Sequence, residues 1–265
     1  MTLTRTAVAL RAATKRFDAP GGGSYTAVEN VSIDAPEGLF VSVVGPSGCG
    51  KSTILNLAAG LISPTEGAVE VFGEPLNGIN RRAGYMFQQD ALLPWKTVLD
   101  NVLLGPALRG SADADLGRQW LKRVGLEGFE NHFPYQLSGG MRKRVAMAQN
   151  WIVKPDILLM DEPFSALDVH TRHKMEGELL DLWSAERATV LFVTHDLEEA
   201  IALADRVVVL SAGPASRVVG TYDVTLARPR DLLDLRTRPE FMDLYREIWS
   251  VLREEVLKSY ARGQQ

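Results

Sequence analysis

Apolar residues fall along this chain in two rhythms. Short, nearly unbroken runs rich in β-branched residues predict buried strands, and longer stretches with apolar positions three or four apart predict helices. Residues 39–44, 157–160, 188–193 and 207–210 are runs of the first kind, and 8–11, 28–33, 67–73, 82–87 and 217–222 read as further strands. The first two of these latter strands are separated by a flexible Pro20-Gly21-Gly22-Gly23-Ser24 turn. Helical spacing appears at 54–59, directly behind the 39–44 strand, and again at 97–104, 116–124 and 141–153, which predicts a helical lobe inserted between strands. A last helix is expected over 240–260, with Phe241, Leu244, Tyr245, Ile248, Trp249 and Leu252 on one face. That stripe reads first as packing within the chain and second as a partner surface. No repeat at solenoid spacing is present.

The turn between the 39–44 strand and its helix reads Gly45, Pro46, Ser47, Gly48, Cys49, Gly50, Lys51, Ser52, Thr53. Strand, glycine, four residues, Gly-Lys-Ser and helix is the phosphate-loop pattern. Its glycines let the backbone curl until successive N–H groups face one anion, with a helix N-terminus behind them. Lys51 then reaches the outer phosphates, and the Ser52 hydroxyl the magnesium ion that accompanies them. The loop predicts a nucleoside triphosphate site and leaves kinase, GTPase, DNA motor and transport ATPase open.

The 157–160 strand ends in two adjacent carboxylates, Asp161 and Glu162, although core strands rarely carry unpaired charge. Beside a phosphate loop the first can hold magnesium and the second can position or deprotonate an attacking water. The plainer alternative is a strand emerging into solvent. His195 closes the 188–193 strand, on the edge where open α/β sheets bind ligands, yet alone it reads more readily as a capping residue. Phe17 is either a platform for adenine or an aromatic packed on a strand edge.

Composition narrows the setting. With 265 residues the chain can bury a large core, as one domain or as a domain with an inserted lobe. A net charge of −4 argues against a general nucleic-acid binder. The single cysteine, Cys49, lies inside the phosphate loop, which excludes an intrachain disulfide framework and points to a reducing cytosol. Residues 1–10 carry no long apolar run, so no secretory signal is expected. No stretch approaches the ~20 apolar residues that cross a bilayer, so any membrane role is expected to be peripheral.

The deciding stretch is Leu137, Ser138, Gly139, Gly140, Met141, Arg142, Lys143, Arg144 at the head of a helix. With it, the chain resembles an ABC transporter ATP-binding subunit over residues 8–210. The phosphate loop, Gln88, Leu-Ser-Gly-Gly, Asp161-Glu162-Pro163, Ser165-Ala166-Leu167-Asp168 and His195 follow one another in that family's order. The resemblance implies an α/β fold: a P-loop NTPase (ABC ATPase) core with an antiparallel β subdomain and an inserted α-helical subdomain. Residues 1–224 would form the ATP-binding domain, with the helical subdomain at about 89–155, and 225–265 a C-terminal helical extension.

It further implies that Phe17 stacks on adenine and that Lys51 and the Gly48–Thr53 backbone hold the phosphates of ATP, the whole loop from Gly45 to Thr53 being cofactor-binding. Ser52, Gln88 and Asp161 would serve Mg²⁺, Glu162 would act on the lytic water, and His195 would contact the γ-phosphate. Ser138, Gly139 and Gly140 would face the ATP of a second ATP-binding subunit, which implies a dimer, read here as a homodimer. A serine hydroxyl followed by two exposed glycine N–H groups at a helix start suits an anion. Two features depart from the family pattern: Met141 replaces the common Gln, and Gln149-Asn150 replaces an Ala-Arg type of pair.

A finer likeness comes from Leu92, Leu93, Pro94, Trp95 after the glutamine and from Arg228, Pro229, Arg230 before the last helix. These are similar to the nitrate, sulfonate and taurine importer group. In such subunits the lobe containing Leu92–Trp95 engages the permease; ordinary packing inside the lobe is the alternative. The implied protein is a peripheral ATPase on the cytoplasmic face of the inner membrane, acting with integral membrane permease subunits and, indirectly, a periplasmic substrate-binding protein, without nucleic acid. The rival is a soluble ABC ATPase of DNA repair or translation, against which stands the lack of a long coiled-coil insertion or second cassette. A non-catalytic module is opposed by the presence of Lys51, Asp161, Glu162 and His195.

Overall fold

The computed structural model describes residues 5–18 and 22–263, so the Pro20-Gly21 part of the expected turn and residues 1–4 lie outside the described residues. Two long strands, β1 (Thr6–Asp18) and β2 (Ser24–Pro36), pair antiparallel with Phe17 opposite Tyr25. Strand β3 (Phe40–Val44) leads through the phosphate loop into α1 (Lys51–Ala58). Strand β4 (Glu66–Val71) returns to β1 and β5 (Glu74–Pro75) adds to β4, completing a four-stranded antiparallel sheet in the order β2-β1-β4-β5.

Strand β6 (Ala83–Met86) is followed by four helices, α2 (Val98–Val102), α3 (Leu104–Leu108), α4 (Ala114–Arg123) and α5 (Gly139–Trp151). Strand and helix then alternate: β7 (Ile157–Asp161), α6 (Val169–Glu186), β8 (Thr189–Thr194), α7 (Leu197–Leu203) and β9 (Arg206–Leu210). Strand β10 (Val218–Asp223), α8 (Leu232–Leu235) and α9 (Pro239–Gly263) finish the chain. The second sheet runs β10-β9-β3-β8-β7-β6, parallel throughout except for the antiparallel β10.

Both faces of the parallel sheet are covered. Val41, Val43, Leu159 and Leu191 pack with Ile54 and Leu57 of α1 and with the antiparallel sheet, while Phe40, Val44, Met160 and Phe192 pack with the helices on the other side. Strands sandwiched in this way read as unbroken apolar runs, which is the pattern seen in the sequence.

Several boundaries differ from those read along the chain. The helix expected over 97–104 is two, because Leu103 leaves helical geometry with ψ near 1°. Helices α6 and α7 escaped the periodic reading. In α6 the apolar face, Met175, Leu179, Leu180, Leu182 and Trp183, begins only after polar first turns behind the Asp168 cap. The Gln149-Asn150 departure acquires a structural role: Gln149 Nε2 donates to the Asn101 carbonyl at 3.0 Å, tying α5 to α2, and Asn150 Nδ2 donates to Ala146 O at 2.9 Å.

Candidate functional site

Strand register gathers the site. Val44 pairs with Thr194, Asp161 with Val193 and Met86 with Met160, so the carboxyl ends of β3, β8, β7 and β6 reach one edge together. To that edge the four strands deliver, respectively, the phosphate loop, His195, Glu162 and Gln88. Ligands of open α/β sheets bind along such an edge.

The loop bends as its glycines allow. Gly50 has φ 90°, and a Cβ there would stand 2.7 Å from Val28 Cγ1, so both the left-handed backbone and the close approach require glycine. Gly50 also precedes α1 without any side-chain cap, whereas Thr97, Ser138, Asp168 and Asp196 cap α2, α5, α6 and α7. The first N–H groups of α1 are thus left to a ligand, and no acidic residue stands in its first turn. Lys51 is buried, and its ammonium donates to the carbonyls of Gly45 at 3.0 Å and Pro46 at 3.2 Å. The Cys49 thiol is buried, which pushes its pKa up.

Glu162 is the hub. One of its oxygens lies 3.6 Å from Lys51 Nζ, and the other lies 3.0 Å from His195 Nδ1 and 3.4 Å from Gln88 Nε2. Its backbone sits at φ 41°, a left-handed conformation that a non-glycine residue rarely adopts, and its N–H donates to Val193 O at 2.9 Å. Beside it, Ser52 Oγ donates to Asp161 Oδ1 at 3.1 Å. Burial raises the Asp161 pKa, opposed by the Ser52 hydrogen bond, a carboxylate whose charge a cation would favour. A hydroxyl and a single carboxylate, with an amide near, are hard oxygen donors of the kind magnesium takes alongside phosphate.

A cavity of about 450 Å³ joins these residues to the paired ends of β1 and β2, with Phe17, Tyr25, Ser47, Thr53, Gln88 and Glu162 among its walls. Phe17 and Tyr25 are both exposed here, and Lys15 Nζ stands 5.2 Å from the Phe17 ring. Gly45 and Pro46 instead open onto a neighbouring cleft toward α9. Ser138, Gly139 and Gly140 are not among the described residues lining the 450 Å³ cavity. Ser138 caps α5, its hydroxyl accepting from Met141 N at 3.3 Å.

Three contributors went unread in the sequence. Tyr25 lies opposite Phe17 only because of the β1–β2 register. Tyr85 approaches Asp161 from β6, its phenol held up by burial and by that carboxylate, and donates to Asn56 Oδ1 at 3.1 Å. Lys143, buried in α5, donates to the Gln88 carbonyl at 2.6 Å and pairs with Asp90 at 3.2 Å, while Arg142 Nε meets the same carboxylate at 2.8 Å. The helix headed by Ser138 is therefore pinned to the segment after Gln88. Lys143 lies within the Leu137–Arg144 signature stretch, but its partner is unknowable before the fold.

A phosphate loop, a strand-end carboxylate pair and a glutamine on one edge of a parallel sheet, with an antiparallel sheet packed behind, define an α/β P-loop nucleoside triphosphatase. The family comes from comparison: the profile described as ABC transporter matches residues 28–165, and the chain belongs to that family. It is 40% identical to a taurine import ATP-binding protein of Jannaschia sp. over 93% of this chain and 94% of that one. It is also 40% identical to a nitrate import ATP-binding protein of Synechococcus elongatus, covering 88% of this chain and 86% of that one. Among solved structures, a dimeric ATP-binding cassette in a post-hydrolysis state with ADP and Pi superposes with a TM-score of 0.73 at 35% identity, covering 83% of this chain and all of that one. Among the described residues no helix is long and apolar enough to cross a membrane.

Proposed function

We propose that this chain is the ATP-binding and ATP-hydrolysing subunit of an importer, coupling hydrolysis by a pair of cassettes to uptake of a small anion through a separate permease. The observation that carries the reading is the Glu162 carboxylate, which meets Lys51, Gln88 and His195 beside the Ser52–Asp161 pair. Phe17, with Tyr25 opposite, takes the adenine; the Gly48–Thr53 backbone and Lys51 take the phosphates. Ser52 and Asp161, with Gln88 near them, hold the magnesium ion, which when bound neutralises phosphoryl oxygens. Glu162 orients the attacking water and accepts its proton, held for that task by His195 and Gln88. Ser138, Gly139 and Gly140 complete the site of a second copy, so that each ATP is enclosed by two chains. Relatives named for taurine and nitrate import support a small cargo that bears an anionic group, nitrate, a sulfonate or taurine, and a place against permease subunits on the cytoplasmic face of the membrane.

Ser138→Arg tests the shared site. ATP binding by the isolated chain should remain within about twofold of the parent, because no signature residue lines that chain's own cavity, while hydrolysis by the assembled transporter should fall to background. Hydrolysis near the parent rate in the assembled S138R transporter would sink the reading.

A further inference from the structure

Helix α9 carries an apolar face that its own chain leaves open. Phe241, Ile248 and Leu252 are buried, whereas Trp249 is 38%, Leu257 55% and Tyr260 69% exposed. At 3.6 residues per turn Trp249, Val256 and Tyr260 fall within about 40° of one another, forming one stripe. Trp249 stands as a ridge between two clefts. The first, of about 280 Å³, has Trp249, Val256 and Tyr260 on one wall and Pro46, Ser47 and His195 on the other. The second, of about 330 Å³, is lined by Arg246, Arg253, Glu254 and Leu257. The apolar face of α9 is therefore continuous with the outer rim of the nucleotide site.

In the two-chain sandwich proposed above, on which this inference rests, that rim receives the signature of the second copy. The signature does not arrive alone. A Cβ at Gly140 would lie 3.0 Å from Thr171 Cγ2 and one at Gly139 4.0 Å from Leu167 Cδ2, so the start of α6 is packed beside it. On that start Val169 is 58% exposed, and Asp168 precedes it. An apolar side chain next to a carboxylate suits the Trp249 ridge, apolar on the side of the nucleotide rim and carrying two arginines, Arg246 and Arg253, against one carboxylate, Glu254, on the other.

We propose that the Trp249–Tyr260 face of α9 docks a second copy of this chain, receiving the start of its α6 with Val169 in the cleft beside Trp249. Two-fold symmetry makes the contact twice per dimer, and a large aromatic ridge is the kind of residue on which interface energy concentrates. The C-terminal helix then acts as a clamp that links closure of the pair to the shape of α9.

The experiment uses the full chain carrying Glu162→Gln, with ATP and magnesium, and reads the dimer dissociation constant by sedimentation. Adding Tyr260→Glu or Trp249→Glu should weaken dimerisation at least fivefold while monomer affinity for a fluorescent ATP analogue and the melting temperature stay unchanged. Should Trp249→Glu lower the melting temperature, the more exposed Tyr260→Glu decides. Val169→Glu should produce the same loss, and its failure to do so overturns the assigned occupant. A less than fivefold change for Tyr260→Glu, in an E162Q chain that does dimerise, overturns the clamp and leaves the sandwich standing. An E162Q chain that stays monomeric with ATP overturns both.

Discussion

Glu255 Oε2, on α9, accepts a hydrogen bond at 2.8 Å from the N–H of Ala212, in the loop that follows β9. The loop it grips supports the phosphate loop from behind: a Cβ at Gly213 would lie 2.8 Å from Gly48 O, and Ser216 Oγ donates to the Cys49 carbonyl. Glu255→Ala leaves a buried N–H to find another acceptor, which costs about 1–3 kcal/mol. Part of that cost should appear as slack in the cradle, raising KM for ATP by about 3–10-fold with kcat little changed. Glu255→Gln keeps an acceptor oxygen and should restore KM. Equal KM values for the two variants would show that the grip does not reach the nucleotide.

Removing the charge of Glu162 separates binding from turnover. Glu162→Gln keeps the shape of the side chain and should leave ATP affinity within about twofold, while kcat falls by about 10²–10⁴-fold, the usual contribution of a positioned base. His195→Ala removes the contact at 3.0 Å that orients this carboxylate and should lower kcat with a smaller change in KM. Single-turnover hydrolysis beside nucleotide-binding titration measures both. A parent-like kcat for Glu162→Gln would remove it from the base role.

Much of the phosphate edge was legible because its chemistry is written in consecutive residues: Gly45–Thr53 and Asp161-Glu162 each lie at the end of an apolar run. The second class of site residue was not. Tyr25 and Tyr85 enter through strand register, and Lys143 through an α5 contact with the segment after Gln88; none has a local pattern that names its partner. Boundaries failed where tertiary packing overrides periodicity, as at Leu103, and α6 was missed because its first turns are polar. Gln149 had no reading until Asn101 supplied its acceptor.

Asn101 itself predicts how the helical lobe presents Leu92–Trp95. It is fully buried; its amide nitrogen donates to Leu93, Lys96 and Thr97 carbonyls, and its oxygen accepts from Leu93 N at 2.8 Å. Asn101→Leu strands these groups and should cost at least about 2 kcal/mol by urea denaturation. Trp95, 71% exposed, loses its fixed platform, so its fluorescence anisotropy should drop in a chain where the other tryptophans are replaced by phenylalanine. Unchanged stability and anisotropy would show that the loop is held by other contacts.

Glu199, in the first turn of α7, gives the fold one pH response. It is buried at the head of α7 and its pKa is pushed up to about 8, chiefly by burial, with Glu176 and Asp196 adding like charge against the Thr194 hydrogen bond and the Arg172 guanidinium. The folded chain therefore holds this proton up to about pH 8, whereas the unfolded chain releases it near 4.5. Between those values the native state binds more protons, so the contribution to stability is complete below the lower value and is lost as pH rises through the upper one. The slope is roughly 1.4 kcal/mol per pH unit. Glu199→Gln cannot lose a proton, so its stability relative to the parent should improve by roughly 2–3 kcal/mol between pH 6 and 8, measured by urea denaturation at each pH. A difference between the two proteins that does not change with pH would mean that Glu199 is ionised in the folded chain.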